Sequence, residues 1–320
     1  MELIPFAVLF FVSVAADEVD ILHDSDNHWI SSENGFANSK VLSSLVGAHF
    51  TVKDLKVKKF TKKELKVEIP ENYNAIDAYP QCNFIGSIKT QSNCMSCWAV
   101  SVASALSDRL CIASNGKINK ELSAEEILSC CSKCGTCKGG CTAKAWAFTK
   151  SRGLVSGGDY GSNEGCQPYS IKPCGKKCDK DIAATPKCHK HSCTNENYKV
   201  PFNKDIHRTE KIYRVNESIT DIQREILLHG PVVANYDVYA DFGNYSRGIY
   251  RWRETSGKKL GEHSVKIIGW GTCPMCGMKY WIAANTWGPD WGEKGFFKIM
   301  RGWNKVGFEN QVSAGIPKLS

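Results

Sequence analysis

The sequence predicts an α+β protein in which a helical first half is joined to a β-rich second half. Across residues 97–111, Trp98, Val102, Ala105, Leu106 and Leu110 recur at helical spacing. From about Val200 the pattern changes to short runs rich in β-branched and aromatic residues, separated by glycine turns. All 16 cysteines lie from Cys82 onward. A separate N-terminal segment therefore precedes a cross-linked body.

The 320 residues suffice for one large domain or two ordinary ones, and 42% hydrophobic content is that of a globular chain. Residues 3–16 form an apolar run ending in Val14-Ala15-Ala16, which reads as a signal peptide despite an n-region carrying Glu2 and no basic residue. The run is too short for a membrane span. Entry into the secretory route and abundant cysteine both point to disulfides. The net charge of +8 brings no nucleic-acid motif with it.

Residues 17–69 are polar, with Trp29, Phe36, Val41, Leu42, Leu45 and Val46 as scattered apolar anchors. They read as a propeptide, with the lysine-rich stretch 53–66 as a mobile, cleavable linker. The mature chain is then 70–320, helical mainly over 82–198 and β-rich mainly over 199–313. Ser96 is placed to cap the helix that begins at Cys97, and Ser123 with Glu126 forms a capping box ahead of a second helix. Residues 143–150 are helical again, and residues 166–193 form a loop-rich insertion. Ser218 caps a helix over 219–229 that Gly230-Pro231 ends. Strands are expected at 232–239, 264–270, 279–285 and 296–301. Asn216 and Asn244 head glycosylation sequons.

Cys97 stands in the first turn of its helix, where unpaired N–H groups and the helix dipole favour a thiolate. A cysteine beside an apolar helix is ordinarily core or half of a disulfide. The company it keeps reverses that reading. Gln91 precedes it, and a nucleophile needs a base and a group to orient the base. Gly261-Glu262-His263-Ser264 supplies the first and Ala284-Asn285-Thr286-Trp287-Gly288 the second, with Trp287 shielding the bond between them.

With the signature Cys94-Met95-Ser96-Cys97-Trp98, these residues resemble the papain-like cysteine peptidases. The resemblance to cathepsin B is closer, through residues 107–112, 153–158, 167–171, 295–299 and 314–317, and covers essentially all of 70–320. It implies a papain-like fold, a helical left domain against a β-barrel right domain with the active site between. It implies Cys97 as nucleophile, His263 as base and acid, and Asn285 as its orienting partner. Gln91 joins the Cys97 N–H in an oxyanion hole. Gly139, Gly140, Met95, Gln311 and Trp287 would contact substrate. No cofactor or metal is implied; the partners are protein and peptide substrates, the chain's own propeptide and cystatin-type inhibitors.

The family pairs Cys82 with Cys111, Cys94 with Cys137, Cys130 with Cys188, Cys131 with Cys134, Cys166 with Cys193 and Cys174 with Cys178. Cys141, Cys273 and Cys276 are left over, the last two either closing their own turn or serving a redox or zinc role. Four departures stand out. Lys176 and Lys177 occupy the place of cathepsin B's paired occluding-loop histidines, which implies endopeptidase action with weak or altered dipeptidase action. Ser92 and Met95 replace glycines, Gln311 replaces an arginine-accepting glutamate, and Glu262 replaces a glycine beside His263, where it would favour the imidazolium. The rival readings are a catalytically impaired papain-fold protein that binds peptides, and a disulfide-rich structural protein, which leaves the Cys97, His263 and Asn285 set unexplained.

Overall fold

The computed structural model describes residues 28–32, 36, 39–49, 54–174 and 181–319. An N-terminal arm comes first, with β1 (Trp29–Ser31), α1 (Ser39–Ser43), β2 (Ala48–His49) and α2 (Lys62–Leu65). The helical half carries β3 (Tyr73–Asn74), α3 (Ala75–Ala78), α4 (Cys97–Ala113), α5 (Ala124–Cys130), β4 (Gly135–Thr136), β5 (Gly139–Cys141) and α6 (Thr142–Ser151). The β-rich half carries β6 (Thr209–Arg214), α7 (Ile219–His229), β7 (Val232–Tyr239), β8 (Tyr245–Tyr250), β9 (Lys259–Thr272), β10 (Lys279–Ala284), β11 (Phe296–Met300) and β12 (Val312–Pro317).

Helix α4 is the centre of the left half. Sequence spacing predicts one apolar face, yet every residue from Cys97 to Cys111 is buried. Its small residues, Ala99, Ser101, Ala103, Ser104 and Ala105, let β9 and β12 approach on one side while α5 and α6 close the other. Ser96 stands at its N-cap, but the hydroxyl meets Tyr169 Oη at 2.7 Å instead of capping the helix. At α5, Ser123 Oγ accepts the Glu126 N–H at 3.0 Å. The return half of the expected box is missing, because the Glu126 carboxylate accepts from Val155 N at 2.7 Å and Arg152 at 3.0 Å.

The main sheet runs β1-β8-β11-β10-β9-β7-β12-β6, with β3 added to β9. Its spine β9 extends five residues before and two after the expected strand, because β7 and β10 pair along its two edges. One apolar core fills this half around Tyr236, Phe242, Trp270, Trp281, Trp291 and Phe297. A second surrounds α4, with Trp98, Leu106, Ile127, Trp146 and Leu154. The result is the α+β architecture of a papain-like fold.

The arm crosses both halves: β1 pairs antiparallel with β8, and β2 pairs parallel with β5. The stretch expected to be a mobile linker is instead docked where it is described. Val57 bridges Arg214, Lys58 N donates to Arg214 O at 2.9 Å, and Thr61 with Glu64 forms a complete capping box on α2. A lysine-rich composition hides one side chain, Lys58, that reaches buried Glu225 at 2.8 Å.

Disulfides join Cys82 to Cys111, Cys94 to Cys137, Cys130 to Cys188, Cys131 to Cys134, Cys166 to Cys193 and Cys273 to Cys276. The last closes its own turn, so those two sulfurs are not metal ligands. Cys97 and Cys141 are buried thiols outside any disulfide. Residues 1–16, Lys176, Lys177 and Cys178 lie outside the described residues, and with them the pairing expected for Cys174.

Candidate active site

Cys97 opens α4 at the seam between the two cores, wholly buried. The preceding loop is held by Cys94–Cys137 and by Met95 N, which donates to Cys137 O at 2.9 Å. Ser92 has φ 58°, the left-handed region that glycine adopts without strain. It is tied down there by its hydroxyl, which reaches Lys172 O and lies 3.3 Å from Cys174 Sγ.

His263 comes from β9 and Asn285 from the end of β10, neighbouring strands whose pairing brings the two side chains together. His263 Nε2 lies 2.8 Å from Asn285 Oδ1. The same oxygen accepts the Thr286 N–H at 2.8 Å, which fixes it as an acceptor. Nε2 therefore carries the proton, and Nδ1 is a bare base. Nδ1 is buried and has no hydrogen-bond partner among the described residues. The Trp287 ring covers the histidine at 4.8 Å between centroids.

Gln91 Nε2 donates to the Leu45 carbonyl at 2.9 Å and to the Cys94 carbonyl at 2.7 Å, while Thr286 Oγ1 donates to its Oε1 at 2.6 Å. The arm thus occupies the Gln91 amide through the Leu45 carbonyl. Thr286 and Tyr169, which donates to Gln91 O at 3.0 Å, escape sequence reasoning. Thr286 could have been found, since it sits inside the Asn285-Thr286-Trp287 motif.

The arm fills this site. Gly140 N donates to Gly47 O at 2.8 Å, Ala48 faces Gly140 across β2 and β5, and Phe36 stacks on Trp287 at 5.9 Å. A methyl group at Gly47 would collide with Met95 Cβ and approach Gly139 Cα. Met95 thus narrows the floor beside Cys97 so that glycine is the residue that fits. Gly140 is equally constrained, because a Cβ there would enter the Trp98 ring.

Burial decides the protonation of the pair. It pushes the Cys97 thiol up to about 11, against backbone hydrogen bonds from Gly47, Ser264 and Trp98. This reverses the expectation of a helix-stabilised thiolate, because under the arm desolvation outweighs the dipole. Burial also takes His263 down to about 4, against the bond to Asn285. Glu262 has no part in that shift. Adjacent strand residues face opposite ways, and the Glu262 carboxylate pairs with Lys259 at 3.7 Å.

Gln311 backs the seam: its carbonyl accepts Asn235 N at 3.1 Å, and its buried side-chain Oε1 has no partner among the described residues. Asn216 is exposed and Asn244 only half-buried. Cys130, Cys131, Cys134 and Cys137 are all consumed by disulfides. No helix among the described residues is long and apolar enough to cross a membrane.

The family model for papain family cysteine protease matches residues 69–316. The chain is 40% identical to cathepsin B-like cysteine proteinase 5 of Caenorhabditis elegans, over 94% of this chain and 90% of that protein. A cathepsin B-like cysteine proteinase of Schistosoma japonicum is 42% identical, over 80% and 75%. Among solved structures, procathepsin B S9 from Trypanosoma congolense superposes with a TM-score of 0.79 at 35% identity, covering 91% of this chain and 94% of that one. Digestive procathepsin L2 of Tenebrio molitor, at 22% identity and TM-score 0.67 over 92% and 85%, shares the fold. The chain belongs to the papain family of cysteine proteases, as a cathepsin B-like cysteine peptidase with a propeptide.

Proposed function

We propose that the protein is a cysteine endopeptidase made as a zymogen, working through Cys97, His263 and Asn285. The bare Nδ1 of His263, with Nε2 held by Asn285, is the observation that carries this reading. Once the arm leaves, Nδ1 takes the Cys97 proton and the sulfur attacks the peptide carbonyl carbon. The oxyanion forms against the Gln91 amide and the Cys97 N–H, worth ~3 kcal/mol per donor. The imidazolium then gives its proton to the departing amine. Water, deprotonated by the same nitrogen, cleaves the thioester and frees the thiol.

The chain divides in this proposal into signal peptide 1–16, propeptide 17–69 and mature enzyme 70–320. The buried, arm-covered site supports inhibition in cis, and open Asn216 is the more accessible sequon. A secretory route ending in the lysosome or outside the cell suits the disulfides. Lys176 and Lys177 in place of a histidine clamp support endopeptidase over dipeptidase action, and the emptied cleft is where cystatin-type inhibitors would bind. Labelling of acid-processed protein by an epoxide inhibitor, abolished in Cys97→Ala, is the expected result. Processed wild-type protein that resists labelling would leave a peptide-binding, non-catalytic protein.

A further inference from the structure

A buried polar cluster lies beside the reacting groups and is used by none of the steps above. Asn235 on β7 and Ser264 on β9 are cross-strand partners, so their side chains share one face of the sheet. Thr142, the first residue of α6, meets them from the other half of the molecule. Its Oγ1 lies 3.0 Å from Asn235 Oδ1 and 2.9 Å from Ser264 Oγ, and the Ser264 hydroxyl also reaches Asn235 Oδ1. All three residues are fully buried.

The cluster is incomplete on both sides. Asn235 Nδ2 is a buried donor and Gln311 Oε1 a buried acceptor, each without a partner among the described residues. Leaving such groups unpaired costs ~1–3 kcal/mol apiece, so they are groups that a ligand can satisfy. They lie close in the fold, since Asn235 N donates to Gln311 O.

The arm indicates which part of a peptide reaches them. Gly47 sits over Cys97 and Met95, and Ala48, one residue along, faces Gly140 with its side chain buried. Gly140 is followed by Cys141 and then Thr142. A chain lying on β5 in either direction therefore sends the side chain one step from the nucleophile toward the Thr142 end of that strand. Alanine there makes no hydrogen bond.

Resting on the peptidase reading, we propose that Thr142, Asn235, Ser264 and Gln311 select substrates with an uncharged amide or hydroxyl side chain at the second residue before the scissile bond. An asparagine or threonine there accepts from Asn235 Nδ2 and donates to Gln311 Oε1; leucine or valine of the same shape leaves both unpaired.

The test is kcat/KM of processed enzyme on two matched fluorogenic pairs, Asn against Leu and Thr against Val at that position, with everything else unchanged. The polar member should be cut about tenfold faster in each pair. Asn235→Ala should bring the ratio to about one, and Gln311→Leu, which removes the unpaired acceptor of a half-buried residue, should do the same. Preference for Leu and Val in the wild type, or a polar preference that survives both substitutions, would overturn the inference while leaving the peptidase reading intact. Protein whose Cys97 cannot be alkylated by iodoacetamide and which cuts neither pair would overturn both.

Discussion

Cys97 Sγ and His263 Nδ1 share one transferable proton in the closed form, and it sits on sulfur. With the thiol at about 11 and the imidazole at about 4, thiol and neutral imidazole is the state at every pH between. Removing the arm restores water and lets the helix dipole act, so the proton moves from sulfur to nitrogen. That transfer takes up no proton from solution. Around neutral pH, where the opened pair also keeps that one proton, the catalytic pair therefore gives release of the propeptide no pH dependence, although it changes reactivity. Near neutral pH, processing should add the ultraviolet absorbance of one thiolate, absent in Cys97→Ala processed by an added protease. Equal thiolate absorbance before and after processing would show that the arm does not control ionisation.

Acid sensitivity belongs instead to a small element, α2. Glu64 lies 3.2 Å from His229 and 3.5 Å from Lys58, and its Oε2 accepts the Thr61 N–H at 2.6 Å. Burial raises its proton affinity, but the Thr61 bonds, His229 and Lys58 together bring it down to about 2. His229, facing Glu225, Lys58 and Arg109 as well, is held below its ordinary value by burial. Both groups bind protons less well when docked than when free. The contribution of Glu64 is complete above the ordinary carboxylate range, and lost as pH falls through it toward about 2; His229 starts to oppose docking at higher pH, below its own ordinary value. Acid therefore undocks α2. Glu64→Gln should speed processing near neutral pH by roughly tenfold, the loss of one charged hydrogen bond, and flatten its rise on acidification. An unchanged pH profile of the processing rate would place the trigger elsewhere.

This element also shows what the sequence could and could not disclose. Cys97, Gln91, His263 and Asn285 were legible because each sits in a local signature whose chemistry explains its neighbours. The strand and helix over 219–239 were legible from Ser218, Gly230 and the apolar run that follows. Lys58 was not, since one lysine among seven in residues 53–66 looks like any other until Glu225 is found across the molecule. Thr142, Asn235 and Ser264 escaped for the same reason, because only the β7–β9 register and the docking of α6 bring them together.

At the scale of the whole molecule, the two cores are joined by charge as well as by apolar packing. Lys266 of β9 reaches Asp108 of α4 at 2.6 Å, both buried. Beside it, Arg109 of α4 donates to Gly315 O at 2.8 Å, Gly230 O at 3.0 Å, Pro231 O at 3.2 Å, Tyr213 Oη at 2.9 Å and Glu225 Oε1 at 2.6 Å. One guanidinium thus ties the central helix to α7 and β12, a planar fork that lysine cannot replace. Arg109→Ala removes the main partner of buried Glu225, at a cost of ~3–5 kcal/mol, or a fall in melting temperature of roughly 10 °C. The zymogen retains Lys58 on the other carboxylate oxygen, whereas the processed enzyme has lost it with the arm. The drop measured by calorimetry should therefore be larger in alkylated, processed enzyme than in the uncleaved Cys97→Ala chain. Equal drops in the two forms would mean that the arm's lysine does not share the Glu225 charge.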